Sequence, residues 1–428
     1  MSAWAITVFG WRNGLAYGLL GLPLAFVALP LYVILPNHYA REFGVPLATL
    51  GAILLGARLF DAFIDPLLGR VSDRLFARSP AAVLKLGGVA AVVLALGFAL
   101  LFFPQVKTPG ALVVWASVML VVTYAAYSFL SVSHQSWGAM LGGNEAQRSR
   151  IVAWREGLGL VGVVMASITP VALGLPATTA LFFIALVVGW LAWKQAVQPV
   201  AKKDATLAPG VLWLPFAHSN FKRLLLVFML NGTASAVPAT LVLFFIQDRL
   251  QAPSSLEPLF LGGYFLTAAL SIPLWLAVVK RIGLAKAWLV GMALSIAVFV
   301  WATQIGSGQT TAFLIICALS GVALGTDLAL PGAMLAGVIQ GNGDSGKAEG
   351  AYFGWWNFAI KLNLALAAGL ALPLLGVFGY APGVRSPEAL NALVIAYCVL
   401  PCALKLAASA ALYFFIIRRS SQPLLPTR

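Results

Sequence analysis

Charge is what this chain has least of. It holds 13 acidic and 27 basic residues among 428, so only 9% of the sequence is charged. A soluble chain needs far more polar surface to cover its core, and a mean hydropathy of +0.94 excludes that class. Cysteine is scarce too. Cys317, Cys398 and Cys402 all lie in apolar runs without metal-ligand spacing, which excludes a disulfide framework and leaves them as small buried hydrophobes. There are three histidines, and neither an H-x-x-x-H pair, a nucleophile–His–acid arrangement nor a glycine-rich phosphate loop. No attached polar domain is present either, which argues against a membrane enzyme or a receptor. The first residues lack a basic region followed by a small-residue cleavage site, so no removable signal peptide is expected.

Long apolar runs stand in place of these features. Hydrophobic residues make up 61% of the chain, and its length allows roughly twelve membrane crossings at about 30–35 residues each. The spans fall near 15–35, 46–68, 82–104, 111–134, 151–174 and 177–198, then 221–247, 258–279, 285–305, 311–337, 350–376 and 389–417. The longest polar interruption, 199–220, divides them six to six. The expected fold class is therefore an all-α membrane protein with twelve transmembrane helices in two six-helix halves. The halves are 1–198 and 221–428, with 199–220 as a cytoplasmic linker.

The net charge of +14 could suggest nucleic acid, but the basic residues sit in short clusters between apolar runs. With the N-terminus inside, twenty Lys and Arg fall on cytoplasmic segments, among them Arg78, Lys202, Lys203, Lys280 and Arg281. Only four, Arg41, Lys107, Arg249 and Arg385, fall on the other side. That bias places both termini in the cytoplasm and implies no nucleic-acid partner.

One stretch organises the rest. Arg58, Asp61 and Asp65 are spaced i, i+3, i+7 within the second span and share one helical face. Each charge at a helix centre costs roughly 2.5–3.5 kcal/mol on insertion scales. Either the cluster is a trap for a cation or proton, or Arg58 and Asp61 form a structural ion pair. The run continues as Gly69-Arg70-Val71-Ser72-Asp73-Arg74, a G-x-x-x-D-R pattern. Together these residues resemble the second-helix signature of the glycoside–pentoside–hexuronide:cation symporters, the melibiose-carrier-like family of the major facilitator superfamily. A second resemblance lies in Glu349-Gly350, an aromatic run and Lys361. Weaker ones lie at Tyr124 in span four and at Arg155 entering span five.

The resemblance implies a multi-pass symporter of the cell (inner) membrane that works by alternating access as a monomer. Its partners would be a small-molecule solute, a sugar or glycoside, and membrane lipid. Asp61 and Asp65 would carry the coupling cation, with Arg58, Tyr124 and Lys361 tuning it. Gly69, Asp73 and Arg74 would form a gating loop. A buried Lys361 needs a carboxylate partner, for which Asp61 or Asp65 is the candidate. Arg155, Trp355, Trp356, Asp327, His134 and Gln135 are candidate substrate-cavity residues. For each a structural role competes: an Arg155–Glu156 pair, a hydrogen-bonded His134, tryptophans that pack helices. Asp327 precedes Pro331-Gly332, which suggests an irregular helix there. Lys405, in span twelve, is read as snorkelling or structurally paired.

No cofactor beyond the coupling ion is expected. Sodium-using members of the family add an amide before the second Asp and a hydroxyl after the span-four Tyr; here those positions are Ile64 and Ala125. Hard cations want several oxygens, whereas two neighbouring carboxylates can share one proton. The proton is therefore the expected coupling ion and sodium the alternative. Galactoside-type members also carry carboxylates on helices one and four. This chain has no acid between Leu15 and Leu35, and Ser128 stands at the helix-four position. A different glycoside fits that absence, as does an amphiphile such as a lysolipid.

Overall fold

A computed structural model of the chain describes residues 9–45, 47–199, 211–380 and 383–420. Among them regular structure is helical throughout, without strands. A bilayer demands this, since a helix satisfies its backbone polar groups internally. Nine helical stretches among the described residues are long and apolar enough to cross a membrane. Leu96, Val114, Ile168 and Leu270 are exposed along them, forming apolar surface suited to lipid.

The chain forms two compact units. One comprises 1–217 with 336–358, the other 218–335 with 359–428. Residues 200–210 of the expected linker, including Lys202 and Lys203, lie outside the described residues.

In the first unit, the opening span is broken into α1 (Trp11–Gly18), α2 (Gly21–Phe26), a π-turn at Pro30–Ile34 and α3 (Leu35–Phe43). Pro23, Pro30 and Pro36 each remove a backbone donor there, so an uninterrupted ladder is not available. Next come α4 (Leu47–Arg78), α5 (Pro80–Phe102), α6 (Pro109–Met140) and α7 (Glu145–Gln195). Ser79 caps α5 by accepting from the Ala82 amide, and Asn144 caps α7 by accepting from Gln147. At Gly174 α7 breaks, with φ of +79° between Pro170 and Pro176; a side chain would be strained in that conformation. This break separates the fifth and sixth spans. The unit's interior holds an aromatic stack in which Phe182 lies 4.6 Å from Phe98 and 5.7 Å from Phe26.

A short helix, α8 (Leu214–Ala217), precedes the second unit. There follow α9 (Ser219–Phe244), α10 (Glu257–Ile282), α11 (Leu284–Ala302), α12 (Thr310–Gly341) and α13 (Glu349–Val377). The last span is α14 (Pro387–Val394), a π-turn at Ile395–Val399 and α15 (Leu400–Leu412). The irregular helix expected around Asp327 is not found. α12 runs through Pro331, whose ring costs one hydrogen bond without ending the helix. Phe245 anchors this unit's core, stacked 4.3 Å from Tyr397 and 5.6 Å from Phe313.

Candidate functional site

Asp61 and Asp65 sit one turn apart on α4, and both are buried, at 1% and 0% exposure. From α6, the Ser128 hydroxyl donates to Asp61 Oδ1 at 2.6 Å. Tyr124, one turn earlier on α6, is buried as well. Ser128, where the family resemblance leads one to expect a carboxylate, is thus a donor to the α4 acid. A second polar link, Ser133 Oγ to Ser72 Oγ at 3.1 Å, ties the same two helices further along. Arg58 shares the helical stripe by spacing but is exposed. A long side chain can leave the packed region where a short carboxylate cannot.

The G-x-x-x-D-R segment is not a loop. α4 continues in one helix through Gly69, Asp73 and Arg74 to Arg78. Beyond the apolar part of α4, the Asp73 carboxylate accepts hydrogen bonds from the amides of Gly350 at 2.6 Å and Ala351 at 2.8 Å. These are otherwise unsatisfied donors at the start of α13, where the helix dipole also favours an anion. The approach depends on glycine. A Cβ at Gly69 would lie 2.0 Å from the Gly350 carbonyl oxygen, and one at Gly354 would lie 2.7 Å from the Asp65 carbonyl oxygen. Gly350 and Gly354 form a G-x-x-x-G pair, the close-crossing pattern of membrane helices, which the sequence reading passed over. Neighbouring Glu349 accepts from the Gly346 amide at 2.6 Å and the Ser345 hydroxyl at 3.2 Å. Burial pushes its carboxyl up to about 7. Burial, with Glu349 nearby, also holds Asp73 well above the ordinary carboxylate range. Arg74 is exposed.

Several candidate cavity residues make contacts within the first unit. Arg155 donates to Glu156 Oε1 at 2.9 Å, and its backbone packs on Gly21. His134 is fully buried, with Nε2 2.7 Å from the Tyr17 carbonyl oxygen, while the Tyr17 hydroxyl donates to the His134 carbonyl oxygen at 3.0 Å. The reciprocal pair clamps α1 to α6. Trp355 donates to the Leu212 carbonyl oxygen at 2.8 Å and packs against Trp213 and Phe216, so its ring face is occupied within the protein. Trp356 is buried. Gln135 donates to Ser131 at 3.1 Å, and its Oε1 is buried with no hydrogen-bond partner among the described residues. Lys361, part-buried on α13, belongs to the second unit.

The second unit has a polar cluster of its own. Asp327 Oδ1 accepts from Asn231 at 2.9 Å and from the Trp288 indole at 2.8 Å. Its Oδ2 accepts from Ser235 at 3.1 Å and from Lys405 at 3.1 Å. Lys405 also donates to Asn231 Oδ1 at 2.8 Å. The sequence held a signal for this pair: one acid and one base, each alone on an apolar span, are individually too costly to bury and should find each other.

The chain matches the model of the family described as MFS/sugar transport protein over residues 14–419. It is 24% identical to an uncharacterized symporter, YjmB, of Bacillus subtilis, covering 89% of this chain and 87% of that protein. It is 25% identical to a putative sulfoquinovose importer of Salmonella typhimurium, covering 94% and 89%. The solved structure of a bacterial homologue of the iron transporter ferroportin, in an outward-facing state, superposes with a TM-score of 0.70 at 17% identity. That match covers 96% of this chain and 99% of the other. The fold is therefore that of the major facilitator superfamily. The chain belongs to the MFS/sugar transport protein family and is a multi-pass membrane transporter, not an enzyme.

Proposed function

We propose that this member of the family is a proton-coupled symporter of a sugar-like solute, working by alternating access as a monomer in the cell (inner) membrane. The observation that carries the reading is the Asp61–Asp65 pair, two carboxylates one turn apart on α4 and closed off from solvent. Two like charges in a poorly polarisable setting are relieved when they share a proton. Neither Ile64 nor Ala125 supplies a side-chain oxygen for a metal cation's shell. One observation favours sodium instead: Ser128 Oγ, 2.6 Å from Asp61, is an additional oxygen beside the pair.

A sugar-like solute is supported by the family's description and by the relative named a sulfoquinovose importer. The test is uptake by proteoliposomes from a panel of pentoses, hexoses, uronates, sulfonated sugars, simple glycosides and a lysolipid. Accumulation of one sugar, driven by an inward proton gradient and indifferent to sodium at fixed pH, is expected. Asp65→Asn should abolish accumulation. Saturable sodium stimulation that Asp65→Asn removes would overturn the proton reading, and accumulation of the lysolipid alone would overturn the sugar reading.

A further inference from the structure

A cavity of about 170 Å³ lies wholly within the second unit. Five aromatic rings line it: Phe260, Tyr264 and Phe265 from α10, Phe299 from α11, and Tyr397 from the π-turn Ile395–Val399. Tyr397 is fixed by its stack on Phe245. Asp327, Lys405 and Ser235 form a polar end, and Ser320 of α12 adds a hydroxyl.

Size and chemistry together restrict the occupant. An apolar cavity of about 150 Å³ holds one benzene ring, so this volume suits a single six-membered ring with a small substituent. Both oxygens of Asp327 are engaged, each by two donors. Its charge is balanced by Lys405, so the cavity offers no net charge to an ionic ligand. What remains is donor capacity. Lys405 spends two of its ammonium hydrogens on Asn231 and Asp327, and Ser320 Oγ has no hydrogen-bond partner among the described residues. A sugar ring would bring hydroxyls all round its edge to a lining that is mostly aromatic and aliphatic, and each unmet one costs about 1–3 kcal/mol.

We propose that this cavity binds an uncharged aromatic ring carrying a single oxygen acceptor, its faces against the tyrosine and phenylalanine rings and its oxygen toward Lys405 and Ser320. Two sources share that chemistry, a free phenol and the aryl aglycone of a glycoside. The second rests on the sugar-transport reading above, whereas binding of the ring itself does not.

The experiment is equilibrium binding to purified protein in detergent, with protein-free micelles subtracted. The probes are phenol, phenyl β-D-glucoside, methyl β-D-glucoside and glucose. Saturable binding of phenol is expected, weakened at least tenfold in Ser320→Leu, which fills the cavity, and about threefold in Ser320→Ala, which only removes the hydroxyl. Leu261→Trp fills it from α10 and serves where Ser320→Leu does not fold, thermal unfolding reporting which variants are native. Phenyl glucoside binding with the same sensitivity, and methyl glucoside binding without it, identifies the aglycone as the source. Phenol binding alone identifies the free phenol. Ring binding that is equal in wild type and in both filled variants overturns the site. Loss of sugar transport in vesicles alongside intact, Ser320-sensitive phenol binding would sink the transport reading and leave this one standing.

Discussion

Two buried charge clusters, one in each unit, show opposite designs. On α4, Asp61 and Asp65 have the same sign, lie one turn apart on one helix, and receive the Ser128 hydroxyl. Between α12 and α15, Asp327 and Lys405 have opposite signs and come from different helices, with Asn231, Ser235 and Trp288 completing the carboxylate's shell. The second arrangement carries its own counter-charge, the Lys405 ammonium 3.1 Å from Asp327. On the proposed reading, the first is the one that takes up the coupling proton. Burial of charge alone therefore does not mark a coupling site; the proposal for α4 rests on two like charges one turn apart on one helix.

The largest effect should come from unbalancing the compensated cluster. Lys405→Met leaves Asp327 buried without its counter-charge and should cost about 3–5 kcal/mol of stability. Pairing it with Asp327→Asn should recover most of that loss, which a double-mutant cycle of unfolding midpoints reads directly. No recovery would mean that the two residues act independently and that the contrast between the clusters is false.

Next in size is Ser128→Ala, which removes a donor from a buried carboxylate and should cost about 1.5–3 kcal/mol. That penalty should shrink in an Asp61→Asn background. A penalty unchanged there would show that Ser128 serves packing and not the α4 acid. Gly350→Val probes the contact at the end of α4, since even a Cβ would lie 2.1 Å from the Gly69 carbonyl oxygen. Forcing the helices apart should cost about 1–3 kcal/mol, and Gly350→Ala should already be measurably destabilised. A silent Gly350→Val would contradict the close crossing.

The smallest effect is one of pH. The folded-state value of Glu349, about 7, lies above the ordinary 4.5, so its contribution to stability is fully present below about 4.5. It is lost as pH rises through about 7. Glu349→Gln should flatten the decline in melting temperature between about pH 5 and 8. An identical decline in wild type and variant would assign the dependence to another group.

Much of this was legible in the letters. Apolar runs separated by basic clusters gave the helical membrane class, because helices are the economical way to hide a backbone in lipid. The Asp61–Asp65 spacing gave the shared buried face. The exposure of Arg58 was not legible, because periodicity fixes where a side chain leaves the helix, not where a long one ends. The contacts of Trp355 and His134 were not legible, since their partners, Leu212 and Tyr17, lie 143 and 117 residues away in sequence. The Asp73 contact to α13 was hidden for the same reason, across 277 residues. The Asp327–Lys405 pair was within reach and missed, because each charge was weighed alone.

The central claim is that the like-charged Asp61–Asp65 pair on α4 moves a proton together with the solute. It is tested most directly by adding the panel sugar with the highest uptake to lightly buffered, sodium-free proteoliposomes that carry no ion gradient, and recording external pH. The account predicts immediate alkalinisation in wild type and none in Asp65→Asn. A constant pH in wild type, with sugar entry that begins only when sodium is added, would contradict it.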